Sequence, residues 1–301
     1  MMLERVISGV ILIIMMALVL IFGGPVLFVF CLLISLKAYF ELTRAMDVRV
    51  TTLTKDGDLI ISDKDEKIDA KSNLLKKKEE KVNLLEILGA IGVFSYYSVL
   101  FFTKGGSFVM LSVTFTILIL LFVYVFAFPK YDARQVMATL FSFIYAPIML
   151  GYLYLTRELD HGFYIAWLIV ISSWVCDTCA YFTGVMFGKH KMAPILSPKK
   201  SIEGAIGGVL GSSIVGFIYA YVLNCFEIIP GKGMLLWAFP LICGIGALIS
   251  MVGDLAASAI KRNFNIKDYG TLIPGHGGIM DRFDSIIFTA PVIYYLAVIL
   301  I

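Results

Sequence analysis

Long apolar runs separated by short polar segments make up most of the chain, and this pattern predicts its secondary structure. A helix that crosses a hydrocarbon core roughly 30 Å thick needs about 20 apolar residues. Glycine and proline breaks separate neighbouring runs, as at Gly105-Gly106 and Pro129. We therefore predict an all-α polytopic integral membrane protein with about nine transmembrane helices. Their predicted bounds are 5–22, 25–41, 84–102, 107–127, 133–155, 161–184, 204–224, 234–260 and 284–301.

The first apolar run has the length of a secretory signal, but a second run follows it at once and no small-residue cleavage pattern separates them. We therefore expect it to be retained as a first span. Only the stretch between the second and third runs is polar over a long distance. The chain is thus predicted to consist of four parts: an N-terminal transmembrane hairpin (1–44), a cytoplasmic charged insertion (45–83), middle transmembrane helices (84–160) and a C-terminal catalytic transmembrane region (161–301).

The lysines and arginines predict the orientation of these spans. When the spans alternate across the membrane, 21 of the 25 cationic residues fall on the side of the N-terminus. Positive charge concentrates in cytoplasmic loops. We therefore expect a cytoplasmic N-terminus, a C-terminus on the opposite side, and all loops with polar motifs in the cytoplasm.

The composition excludes two broad classes of protein. A hydrophobic content of 59% and a mean hydropathy of +0.90 are too high for a soluble globular protein. The net charge of only +3 gives no sign of nucleic-acid binding. Cys176 and Cys179 have the spacing of a CxxC motif but lie inside an apolar run with no second pair. We expect them to be packing residues, and the closely spaced glycines between 204 and 216 to allow close helix contact.

Polar groups converge on the predicted cytoplasmic ends of the last four spans. Asp177 lies within an apolar run, where an unpaired carboxylate is costly. The following loop contains Lys199 and Lys200, and Ser201 is expected to begin the next helix. Free N–H groups at that helix start and the two lysines would favour an anion, although a plain basic loop is an equally good interpretation.

The last motif-rich run, from Asp254 to Asp284, contains four cationic and four acidic side chains between apolar flanks. Asp254, Ser258 and the Lys261-Arg262 pair share one face of a helix, and Asp281 aligns with Asp284 on the next. Carboxylates without thiolate partners suit Mg²⁺, and lysine and arginine suit phosphate oxygens. The sequence therefore predicts a polyphosphate site at a membrane surface.

These motifs together resemble the phosphatidate cytidylyltransferase (CDP-diacylglycerol synthase) family. The resemblance rests on the Asp177–Lys189 segment, on Ser197-Pro-Lys-Lys-Ser201 with Glu203-Gly204, and on the run from Gly253-Asp254 through Pro274-Gly-His-Gly-Gly278 to Ser285. It implies a Mg²⁺-dependent, homodimeric membrane enzyme that converts CTP and phosphatidic acid to CDP-diacylglycerol and pyrophosphate. A second, monovalent cation is left open.

The resemblance also implies roles for individual residues. Asp254 and Asp281 become the metal ligands and, with Lys261, Arg262 and Arg282, the catalytic set. The residues expected to bind substrates are Asp177, Ser197, Lys199, Lys200, Ser201, Glu203, Ser258, Lys267, Asp268, His276, Gly277 and Asp284. His276 either donates a proton or shapes its loop. Met251 and Ala257 depart from the family pattern, which often has glutamine and an acidic residue there.

Two other functions fit parts of the pattern. A CTP-dependent kinase for a polyprenol-type lipid would need a base for a hydroxyl group and would release CDP. A transporter of an anionic lipid or nucleotide would place its binding residues near the membrane midplane, whereas these motifs crowd one surface.

Overall fold

The computed structural model describes residues 2–54, 75–79, 82–106, 108–229, 233–272 and 277–301. Within these ranges the chain forms nine helices, one for each predicted span. They are α1 (Met2–Phe22), α2 (Gly24–Ala45), α3 (Leu84–Thr103), α4 (Phe108–Phe126), α5 (Ala133–Glu158), α6 (Gly162–Phe187), α7 (Ile202–Cys225), α8 (Leu235–Asn263) and α9 (Met280–Leu300). Helices α2 to α9 are long and apolar enough to cross a membrane, and α1 adds a shorter apolar segment, Gly9–Phe22. The predicted polytopic α-helical fold is confirmed.

Two of the helices contain a π-helical turn. In α5 it spans Ile144–Ile148 and includes Pro147, which has no N–H group for the α-helical ladder. In α6 it spans Ile171–Val175 and directly precedes the turn that carries Asp177. The apolar pattern predicts both helices but not these turns, because a single extra residue in one turn leaves the composition of the run unchanged.

Two short antiparallel hairpins accompany the helices. Strand β1 (Val50–Thr54) pairs with β2 (Leu75–Glu79). Strand β3 (Lys191–Ala193) pairs with β4 (Ser197–Ser201), with Lys191 opposite Ser201. We call the segment from Lys191 to Ser201 the basic hairpin. The sequence predicts a loop here, because the strands are too short to show alternating polarity.

The chain forms two compact units. One contains Leu36–Pro147, and the other contains Met1–Ser35 together with Ile148–Ile301. In the first unit Glu86 is buried in α3, where it accepts hydrogen bonds from Thr43 Oγ1 at 2.6 Å and Arg49 Nε at 2.9 Å. These partners lower the free-energy cost of burying a carboxylate in an apolar helix. All candidate site residues from Asp177 onward belong to the second unit.

Glycines bring the helices of the second unit close together. A Cβ atom at Gly204 of α7 would lie 2.8 Å from the Ala180 carbonyl oxygen of α6, and one at Gly208 would lie 2.9 Å from Cys176 Sγ. Cys176 itself is buried and unbridged. The structure thus confirms that the glycines and Cys176 serve helix packing, and it fixes α6 against the start of α7.

Candidate functional site

A cavity of about 230 Å³ lies between the basic hairpin and the C-terminal end of α8. Both walls carry polar and cationic side chains that the sequence analysis assigns to substrate binding or catalysis. The lining residues are Leu196, Ser197, Pro198 and Lys199 from the hairpin, Ser258, Lys261 and Arg262 from α8, and Lys267 beyond it. Four cations and two hydroxyl groups around one cavity favour a polyanionic ligand, because phosphate oxygens accept hydrogen bonds from both kinds of group. We call it the basic cavity.

The geometry of α8 explains why three residues meet on one wall of the cavity. Ser258, Lys261 and Arg262 fall at spacings of three and four residues, which are neighbours on a helix surface. Lys261 and Arg262 also occupy the last turn of α8, which ends at Asn263. The predicted shared face is therefore present, and it is directed at the hairpin.

Hydrogen bonds at the start of α7 hold the base of the hairpin. Ser201 caps the helix, and its Oγ accepts a hydrogen bond from Gly204 N at 3.1 Å. The Glu203 carboxylate accepts hydrogen bonds from the backbone N–H groups of Lys189 at 3.1 Å and His190 at 3.2 Å. It also lies 2.6 Å from His190 Nδ1. The predicted helix start is confirmed, and the structure gives Ser201 and Glu203 contacts that position the hairpin.

Lys200 is directed away from its neighbour Lys199 and pairs with a carboxylate. Its Nζ forms an ion pair with Asp254 Oδ2 of α8, and the two side chains are 25% and 29% exposed. The pair links the hairpin to α8, one turn before Ser258. From the sequence we expect Lys200 to neutralise a substrate phosphate, whereas in the structure it pairs with Asp254.

Asp281, in the first turn of α9, accepts hydrogen bonds from three groups of the site. Its Oδ1 lies 2.9 Å from Lys261 Nζ, and its Oδ2 accepts hydrogen bonds from the N–H groups of Tyr269 and Gly278, each at 2.9 Å. Gly277 has a φ of +87°, and a Cβ there would lie 2.7 Å from Asp281 Oδ2. A side chain at this position would therefore be strained and would crowd the carboxylate.

Three further carboxyl groups, those of Asp177, Asp254 and Asp284, lie near one another on α6, α8 and α9, and Asp284 is buried. Asp177 of α6 is within electrostatic range of Asp254, Lys200 and Arg282, and Asp284 of α9 is within range of Asp177 and Asp254. Close contact of α8 and α9 brings them together, since a Cβ at Gly253 would lie 2.9 Å from the Asp284 carbonyl oxygen. Carboxyl groups are thus concentrated beside the basic cavity.

The donor set of this region suits Mg²⁺. Among the described residues, no three His, Cys, Asp or Glu side chains are arranged as a metal cage. Mg²⁺ does not require such a cage, because it is usually held by one or two carboxylates, several waters and substrate phosphates. The oxygen donors of Asp254 and Asp281, beside a cavity for phosphate, fit that pattern.

The other residues singled out from the sequence lie outside the lining of the basic cavity or outside the described residues. Asp268 is exposed in the connection between α8 and α9, and His276 lies outside the described residues. Met251 and Ala257, the two departures from the family pattern, are both buried packing residues. Both side chains therefore pack between helices and do not line the basic cavity.

Two contributors to the site were missed by the sequence analysis. Tyr269 contacts Asp281 and Lys261, and His190 contacts Glu203. A tyrosine in a polar connection and a histidine next to a lysine give no periodic signal. Only their positions in space show their partners.

Residues 72–300 match the family described as the Cytidylyltransferase family. A phosphatidate cytidylyltransferase of Thermotoga maritima is 39% identical over 167 residues, which cover 54% of this chain and 61% of the relative. Proteins of the same name from Staphylococcus saprophyticus and Staphylococcus aureus are each 41% identical over 160 residues, which cover 53% of this chain and 58% of the relative.

The chain thus spans about three-fifths of the length of these curated relatives. The family match, by contrast, extends from before α3 to the last residues of α9 and includes the basic hairpin, the basic cavity and the carboxylates of α8 and α9. Taken with the site geometry, this match shows that the chain belongs to the cytidylyltransferase family of multi-pass membrane proteins.

Proposed function

We propose that this protein is a phosphatidate cytidylyltransferase, which transfers CMP from CTP to phosphatidic acid and yields CDP-diacylglycerol and pyrophosphate. The observation that carries the proposal is the basic cavity, with its four cations, next to the carboxylates of α8 and α9. A nucleoside triphosphate needs cationic groups for its phosphates and carboxylates for its divalent ion, and this region offers both. The named activity of the relatives agrees with this chemistry.

Asp254 and Asp281 would hold Mg²⁺. When bound there, Mg²⁺ would supply charge neutralisation for the phosphates of CTP. Lys199, Lys261 and Arg262 line the cavity, where they would bind the triphosphate and stabilise the departing pyrophosphate. Arg282, within electrostatic range of Asp177, would limit the repulsion between the carboxylates and the anionic substrates.

The reaction needs little acid–base chemistry from the protein. A phosphate oxygen of phosphatidic acid forms a new bond to the α-phosphorus of CTP, and the bond between the α- and β-phosphates breaks. The attacking oxygen is already anionic at neutral pH, so a strong general base is unnecessary. Catalysis then consists mainly of alignment and charge neutralisation, which Lys199, Lys261 and Arg262 would supply.

We further propose that the site faces the cytoplasm and that the acyl chains enter sideways from the bilayer. The concentration of lysine and arginine on the side of the N-terminus supports this orientation. CTP would then reach the basic cavity from the aqueous side, and phosphatidic acid from the membrane.

The proposal is tested by incubating detergent-purified protein with CTP labelled in the cytosine ring, phosphatidic acid and Mg²⁺. We expect a labelled liponucleotide and an equal amount of pyrophosphate. Release of labelled CDP with a polyprenol acceptor would instead identify a lipid kinase. The Asp254→Asn variant serves as the matched control, because it removes one metal-binding charge at nearly constant volume.

A further inference from the structure

Tyr269 has no role in the chemistry described so far, yet it makes three contacts within the site. It lies in the connection between α8 and α9, and only 4% of it is exposed. A large aromatic side chain buried in a polar connection fixes the path of the backbone, since its burial is lost if the connection moves.

The first contact fixes the tyrosine to α8. Its hydroxyl group donates a hydrogen bond to the Ala257 carbonyl oxygen at 2.8 Å, and both partners are buried. Ala257 directly precedes Ser258, a residue of the cavity wall. The tyrosine is therefore held against the turn of α8 from which Ser258 and Lys261 project.

The second contact reaches α9. The backbone N–H group of Tyr269 donates to Asp281 Oδ2 at 2.9 Å, next to the hydrogen bond from Gly278. Together these two donors set the direction of the carboxylate, and its Oδ1 remains directed at Lys261. A shift of the connection would rotate Asp281 and lengthen its ion pair.

The third contact is with Lys261 itself. Its Nζ lies 5.5 Å from the centre of the Tyr269 ring, within the range of a cation–π interaction. Lys261 is thus held between a carboxylate on α9 and an aromatic ring on the connection. A lysine side chain has many rotamers, and these two partners select one that borders the basic cavity.

We propose that Tyr269 is a positioning residue, which aligns Lys261 and Asp281 for a nucleoside triphosphate in the basic cavity. The proposal rests on the proposed function for its ligand, but the alignment itself exists without one. The ring holds Lys261, the N–H group holds Asp281, and the hydroxyl group fixes the tyrosine to α8.

Amine labelling tests the alignment in the absence of substrate. Purified protein is treated briefly with an isotopically labelled acetylating reagent, and the modification of Lys261 is measured by mass spectrometry relative to the exposed Lys191. In Tyr269→Leu the ring is lost, and we expect Lys261 labelling to rise about 3- to 10-fold, the range that corresponds to a partly desolvated cation–π contact. Tyr269→Phe keeps the ring, so its Lys261 labelling should stay within about twofold of the wild-type value.

The matched control is Tyr219→Phe, which removes another tyrosine hydrogen bond to a backbone carbonyl in the same unit, that to Tyr164 O at 3.1 Å. It should leave Lys261 labelling unchanged. If labelling of Lys261 relative to Lys191 is equal in wild type, Tyr269→Leu and Tyr219→Phe, the positioning role is refuted.

Kinetics separates this inference from the proposed function. If wild-type protein forms no liponucleotide, the proposed function fails whatever the labelling shows. If it does, Tyr269→Leu should raise KM for CTP about 3- to 10-fold with a smaller change in KM for phosphatidic acid, and Tyr269→Phe should recover most of the loss. Equal changes in both KM values would indicate a general structural defect and overturn the inference.

Discussion

Replacing either proposed metal ligand should abolish turnover, but the structure predicts that only one replacement also destabilises the fold. The change is Asp→Asn, made separately at positions 254 and 281. Asp281 and its partner Lys261 have side chains only 5% and 17% exposed, whereas Asp254 and Lys200 are 29% and 25% exposed. The side chain of Asp254 is therefore more exposed than that of Asp281, and solvent screens its charge more strongly.

The burial of each pair sets the size of the effect. Removal of one partner from a buried ion pair costs about 3–5 kcal/mol, because the remaining charge stays buried without compensation. The asparagine oxygen at position 281 can still accept the backbone hydrogen bonds, so we expect the lower end, about 3 kcal/mol. An ion pair whose side chains are about one-quarter exposed, such as that of Asp254 and Lys200, contributes no more than about 1 kcal/mol to the free energy of unfolding. The two variants should thus differ by about 2 kcal/mol, or by about 4–8 °C in thermal midpoint for a unit of this size.

Thermal unfolding in detergent, followed by intrinsic fluorescence, measures this difference, and the liponucleotide assay measures turnover. We expect Asp254→Asn to unfold close to the wild-type midpoint and Asp281→Asn several degrees lower, with neither variant active. Equal midpoints would refute the assignment of Asp281 to a buried network. Substantial turnover in both variants would refute the metal assignment.

Two further changes test the cavity and the helix contact behind it. Lys199→Ala should raise KM for CTP by about tenfold, the effect of a lost charge-assisted hydrogen bond. Lys191→Ala, on the same hairpin, should leave KM unchanged. If the two variants have the same KM for CTP, Lys199 has no role in substrate binding. Gly253→Ala should destabilise the protein by about 1–3 kcal/mol through overpacking. Its Cβ would lie 2.9 Å from both the Asp284 carbonyl oxygen and Phe288 Cβ, whereas a Cβ at Gly9, the control, would meet nothing within 4 Å. Midpoints that match for the two alanine variants would contradict the close contact of α8 and α9.

The helices could be predicted because a bilayer imposes a length and a composition on anything that crosses it. The predicted span 234–260 became α8, Leu235–Asn263, and the common face of Ser258, Lys261 and Arg262 followed from helical spacing alone. The glycines of α7 were likewise assigned correctly to packing. These features depend on local periodicity, which a single sequence contains.

The pairing of charges could not be predicted in the same way. Lys199 and Lys200 are adjacent, yet one lines the basic cavity and the other neutralises Asp254. This choice depends on the strand pairing of the hairpin, in which successive side chains point to opposite faces. Tyr269 was overlooked for a related reason, since its partners lie on two different helices. Long-range geometry of this kind leaves no trace in the spacing of residues.

The most direct measurement is the anomalous diffraction of Mn²⁺, as a substitute for Mg²⁺, in crystals of the protein grown with CTP. We expect the ion within coordination distance of carboxylate oxygens of both Asp254 and Asp281, and the triphosphate between Lys199 and Arg262. An ion bound away from these two side chains, with the basic cavity empty, would contradict the proposed site.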